Sequence, residues 1–93
     1  MNERELYTKA IKTYGVREQS AVAMEECAEL IRAINKYQRK SNLDNRMNLR
    51  EEIADVQIMI EQLKIMYDIR QDDIEKIKQL KNERLEMRLE KED

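Results

Sequence analysis

The sequence predicts an all-α protein built as an antiparallel four-helix bundle, and three observations carry that expectation. Its 93 residues hold one Gly, Gly15, and no Pro, so the chain almost lacks the residues that tight turns and hairpins need. Ala, Glu, Leu, Lys, Met and Arg fill long unbroken stretches, and these are strong helix formers. Apolar residues recur three and four positions apart, the period of an amphipathic helix. A chain this short makes one domain, residues 1–93.

The first helix is expected over Glu3 to Tyr14, with Leu6, Ala10 and Tyr14 at helical spacing and Gly15 free to take the left-handed conformation that stops a helix. The second runs from about Arg17 to Lys40, where nothing breaks the pattern until Ser41-Asn42. Ser41 to Asn45 has loop composition. Asn48, followed three residues later by Glu51, resembles a capping box, so the third helix is expected to start between Asp44 and Asn48 and to end near Tyr67. Asp68 to Asp72 reads as a short connection. The rest, to about Glu90, reads as a charged fourth helix with Ile74, Ile77 and Leu80 on a loose stripe.

Composition removes whole classes of function. With 18 Lys and Arg against 20 Asp and Glu, the formal charge is -2, and no excess of positive charge exists to neutralise a phosphate backbone; nucleic acid is not an expected partner. There is no His, and Cys27 is the single cysteine. That excludes a disulfide framework, a zinc finger, Ser-His or Cys-His nucleophile pairs and any imidazole-ligated metal. No run of 18 apolar residues occurs, and Met1 to Glu5 is charged with no apolar run behind it, so no membrane span and a cytoplasmic location are expected. Phe and Trp are absent and four Tyr supply all the aromatic bulk. A core built mainly from Met and aliphatic side chains in so short a chain is thin, and a homo-oligomer, dimer or tetramer, is expected to complete it.

Acidic residues break this apolar pattern. On a helical wheel Val22, Leu30, Ala33 and Tyr37 define the apolar face of the second helix, and Glu26 and Glu29 fall on it. In the third helix Leu49, Ile53, Val56, Ile60, Leu63 and Tyr67 form a continuous stripe edged by Glu52 and Asp55. Two helices thus each offer two acids three residues apart, with no Lys or Arg on those faces. Four converging carboxylates repel one another and lose hydration, at a cost of several kcal/mol each on the order of magnitude, unless they protonate or bind a cation. Oxygen-only ligation points to Mg²⁺, with Mn²⁺ as a substitute, rather than zinc or copper. The competing reading assigns the acids to solvated helix faces, with Glu51 and Glu52 favouring a helix N-terminus.

The same residues carry a family likeness. Glu25-Glu26-Cys27-Ala28-Glu29, followed by Glu52-Ile53-Ala54-Asp55, resembles the EExxE…ExxD signature of the MazG-like all-α nucleoside triphosphate pyrophosphohydrolases. The likeness extends over roughly Leu6 to Arg84. It implies that Glu26, Glu29, Glu52 and Asp55 bind Mg²⁺ and that (d)NTPs are hydrolysed between the α and β phosphates, giving a nucleoside monophosphate and pyrophosphate in nucleotide-pool housekeeping. Glu25, off the apolar face, is open to three roles: orienting water, binding a second ion, or being solvated. Related enzymes carry a Lys-x-x-x-Asn pair on the last helix near the phosphates, which Lys78 and Asn82 match, with Arg84 just beyond. Gln19 stands where some relatives place a polar residue that reads the nucleotide. Relatives that stack the base on Trp, Phe or His have no counterpart here, which leaves Tyr7, Tyr14, Tyr37 or Tyr67.

The resemblance implies a metal-assisted attack of water, with Glu25 or Glu26 as the carboxylate base because no His is present. Two alternatives stand beside it: a phosphoribosyl-ATP pyrophosphohydrolase-like activity, and a noncatalytic oligomerising helical module whose acids line a partner groove.

Overall fold

The computed structural model describes residues 1–92 and contains four α-helices: α1 (Glu3–Tyr14), α2 (Val16–Arg39), α3 (Leu43–Met66) and α4 (Gln71–Glu92). The all-α expectation holds, and local chemistry explains each boundary. Asn2 caps α1 by accepting from the Glu5 N–H at 2.8 Å. Gly15, at φ 94°, closes α1 by donating to the Ile11 carbonyl at 2.8 Å and opens α2 by accepting from the Gln19 N–H at 3.0 Å. One residue therefore turns the chain between two helices, in a region that an L side chain rarely adopts.

The third helix starts earlier than its sequence suggests. Asn42 is the cap, accepting from the Asn45 N–H at 2.8 Å, so Asn48 and Glu51 lie inside α3 and form no capping box. Asn45 also donates to the Lys40 carbonyl at 3.0 Å, which ties the connection to the end of α2. At the far end Asp68, at φ 52°, takes the left-handed position, and the Ile69 N–H returns to the Lys64 carbonyl at 2.9 Å.

The connection between α2 and α3 is too short for anything but antiparallel neighbours, and these two helices make the principal interface. α1 packs more lightly on both. The buried residues are few: Ala23, Ala33 and Met59, with Gln19 and Gln62. Gln19 donates to Gln62 at 2.7 Å across the α2–α3 seam, satisfying two buried amides with each other. Ser20 and Tyr67 share a hydrogen bond of 2.7 Å near the α3 terminus.

Two features differ from the simplest bundle. The face that α3 turns to α2 carries Glu52, Asp55, Met59 and Gln62, not the apolar stripe. In that stripe Ile53, Ile60 and Tyr67 are exposed, while Leu49, Val56 and Leu63 are half-buried. The fourth helix forms no comparable interface with the other three, and only Ile74 in it is even half-buried. The radius of gyration is accordingly 16.7 Å, against about 12 Å for a compact domain of this length. No helix among the described residues is long and apolar enough to cross a membrane.

Candidate metal centre

Helical spacing puts Glu26 of α2 and Glu52 and Asp55 of α3 on facing sides of the α2–α3 interface. Glu52 and Asp55 are three residues apart and so project from one face of α3. The three carboxylates converge, each offering an oxygen within 4.8 Å of the other two. All three are half-buried. One oxygen of Glu52, Oε2, is fully buried and has no hydrogen-bond partner.

This crowding has an electrostatic signature. The Glu26 carboxyl is pushed above its ordinary value of 4.5, first by burial, then by the negative charges of Asp55 and Glu52, and finally by direct contact with those two carboxyls. No Lys or Arg ion pair reaches any of the three among the described residues. The bland reading of these acids as solvated helix charges does not account for a buried, unpartnered oxygen facing two other carboxylates.

The remaining sequence-derived residues are placed differently. Glu29 lies outside the convergent trio and pairs with Arg32 at 3.1 Å, so a basic side chain does serve that edge of α2, contrary to expectation. The spacing of Glu29 and Arg32, three apart on a helix, already contained that signal. Glu25 is exposed and lies outside the convergent trio. Gln19 is buried and its amide is engaged by Gln62, a partner 43 residues away that no local pattern could reveal. Lys78 is exposed and lies 3.7 Å from Glu75, and Asn82 and Arg84 are exposed as well. Lys78 and Asn82 share a shallow depression formed by α4 alone. Within one chain, α4 therefore does not bring its polar residues to the acids. Cys27 is exposed. Tyr14 and Tyr67 are exposed, and Tyr7 and Tyr37 are half-buried. Another depression lies between Tyr7, Lys64 and Gln71, and none of the signature acids lines it.

The donor set fits a hard divalent cation. Three carboxylates from two rigid helices, one with an oxygen lacking any donor, supply oxygen ligands and net negative charge with no soft or imidazole ligand nearby. The MazG nucleotide pyrophosphohydrolase domain matches residues 16–72, a segment that contains both acidic pairs and the whole of the α2–α3 hairpin. No curated protein and no solved structure matches the chain.

Proposed function

The chain belongs to the MazG nucleotide pyrophosphohydrolase family, and from that premise we propose that it hydrolyses (d)NTPs between the α and β phosphates, releasing a nucleoside monophosphate and pyrophosphate. The observation that carries the reading is the trio Glu26, Glu52 and Asp55, with its buried, unpartnered Glu52 oxygen. Such an arrangement is unfavourable in isolation and becomes favourable when a divalent cation neutralises it.

In this reading Glu26, Glu52 and Asp55 would hold Mg²⁺, or Mn²⁺ in its place. Glu29, one turn beyond Glu26, would join them on leaving Arg32; the solvent-accessible pair it would give up is worth roughly 1 kcal/mol or less. Bound Mg²⁺ would supply charge neutralisation for the triphosphate oxygens and make a coordinated water more acidic. The protein needs no covalent intermediate. With no His in the chain, a carboxylate, Glu26 or the exposed Glu25, is proposed to take the proton from the attacking water. Gln19, braced by Gln62, is the polar group proposed to read the nucleotide. Lys78, Asn82 and Arg84 are proposed to bind the departing phosphates. Since α4 does not lie on its own α2–α3 pair, these three residues act in a homo-oligomer, where a neighbouring copy presents them. A cytoplasmic location suits a housekeeping enzyme of the nucleotide pool.

The test is incubation of the protein with a panel of NTPs and dNTPs, with and without Mg²⁺, separating the products by chromatography. Monophosphate and pyrophosphate are expected, and only with metal. Diphosphate and phosphate, or no turnover of any nucleotide, would overturn the reading.

A further inference from the structure

The formal charge of -2 conceals a strong separation of charge along the chain. Residues 31–50, the closed end of the α2–α3 hairpin, carry six cations, Arg32, Lys36, Arg39, Lys40, Arg46 and Arg50, against one acid, Asp44. All six are exposed. Among the described residues only Arg32 of the six has an ion-pair partner, Glu29 at 3.1 Å. Cations near a helix C-terminus offset its dipole, which accounts for the last turn of α2 but not for Arg32 a turn earlier.

One side of α2 runs from the acidic trio straight into this basic end. Glu26, Glu29, Arg32, Lys36 and Lys40 follow one another at steps of three, three, four and four, so each stands about one turn beyond the last. Along the axis Arg32 lies about 9 Å past Glu26 and Lys36 about 15 Å past it. Side chains on a helix lean toward its N-terminus, which from both cations is the direction of the trio.

We propose that Arg32 and Lys36 hold the terminal phosphate of a nucleoside triphosphate and so make the site select triphosphates over diphosphates. The inference deepens the hydrolase reading and rests on it. In the chain as it stands Arg32 is occupied by Glu29. When Glu29 joins Glu26, Glu52 and Asp55, the guanidinium loses its partner beside the place where phosphates meet the acids, and a phosphate oxygen replaces that carboxylate in kind. Lys36, unpaired and one turn further on, brings a second positive charge to the same phosphate. A diphosphate, shorter by one phosphate, ends nearer the acids and leaves these two cations without a ligand. Lys40, another turn away, adds only longer-range attraction.

The pattern favours a short anion over a long one. Toward the other end of α2 the same side continues through Glu29 into Glu25 and Glu18, both exposed. A nucleic-acid backbone laid along it would pass from cations onto acids, with like charges facing each other. A triphosphate ends within the stripe. These two cations also belong to the chain that supplies the acids, so their part in the site needs no second copy.

The test reads binding before activity. Isothermal titration calorimetry follows inorganic tripolyphosphate added to the full chain in excess Mg²⁺ at physiological ionic strength. Lys36→Gln and Arg32→Gln should each weaken binding roughly fivefold or more, and Lys36→Arg should restore it. Arg46→Gln removes the same charge from the same end of the hairpin. Nine residues before Asp55, Arg46 lies on the opposite side of α3 from the face that meets α2, so its loss should change the affinity by less than about twofold. In nucleotide assays Lys36→Gln and Arg32→Gln should raise KM for triphosphates and narrow their advantage over diphosphates. Equal losses in all three Gln variants, or no loss in Lys36→Gln and Arg32→Gln, would overturn the proposal. So would a single-stranded oligonucleotide that displaces tripolyphosphate at a lower phosphate concentration, which would mark the stripe as a nucleic-acid surface. Protein that binds tripolyphosphate as expected yet hydrolyses no nucleotide would overturn the hydrolase reading alone.

Discussion

Replacing Glu26 by Gln should stabilise the metal-free protein and remove most of its response to Mg²⁺. The Glu26 carboxylate lies within 4.8 Å of both Glu52 and Asp55. At that separation one pair of like charges repels by about 1 kcal/mol with water-like screening and by about 3 kcal/mol at an effective dielectric constant of 20. The site is half-buried and the carboxyls can share protons, which relieves part of the repulsion, so a gain of about 1–2 kcal/mol at pH 7.5 is expected for Glu26→Gln. In a domain of this size that raises Tm by roughly 4 °C or more. The sign with pH follows from the upward shift of the Glu26 carboxyl above 4.5. The folded state holds this proton more tightly than the unfolded state, so the contribution to stability is full at low pH. It is lost as pH rises through the folded value, and the variant should flatten that slope. Metal reverses the trend, because Mg²⁺ competes with protons for the same oxygens and the Tm gain it produces should grow between pH 5 and pH 7.5. The assay is differential scanning fluorimetry at matched protein concentration, across pH, with and without Mg²⁺. A lower Tm for metal-free Glu26→Gln at neutral pH, or an undiminished metal response in that variant, would refute the reasoning.

Two further substitutions probe how the site is held. Gly15→Ala meets no atom within 4 Å, so its cost comes from the backbone at φ 94° alone; a loss of about 1–2 kcal/mol is expected in urea unfolding. Gln19→Leu and Gln62→Leu should each lose about 1–3 kcal/mol by stranding the other amide, whereas the double variant should be much closer to the unaltered protein. Additive losses in that cycle would show that the 2.7 Å bond contributes nothing to the α2–α3 interface.

Helices and acids were largely legible in the sequence because both are written in local spacing. α1 ends at Tyr14 because Gly15 is the chain's single glycine, and its bounds match the expectation. Glu26, Glu52 and Asp55 were identifiable because they sit at core-facing or core-edge positions on a wheel, and the structure brings them together. Glu29 shows the limit of that argument. It shares the face of Glu26 by spacing, but a long, half-buried glutamate finds Arg32 more readily than a crowd of like charges. The start of α3 was misplaced because Asn42 and Asn48 are equally good caps in isolation; the bond from Asn45 to the end of α2 favours the earlier one.

By itself, then, this sequence determined what repeats and residue types can encode: four helices, an oxygen-only acidic centre, no imidazole or disulfide chemistry, and a chain with too little apolar bulk for a generous core. Only the tertiary structure decided which face of α3 meets α2, that Gln19 is buried against Gln62, and that α4 stands clear of the body. The reason is physical. A helix period specifies faces relative to one another, but which face is covered depends on the neighbouring helix and on the connections that orient it, here the Gly15 turn and the bonded corner at Lys64, Asp68 and Gln71.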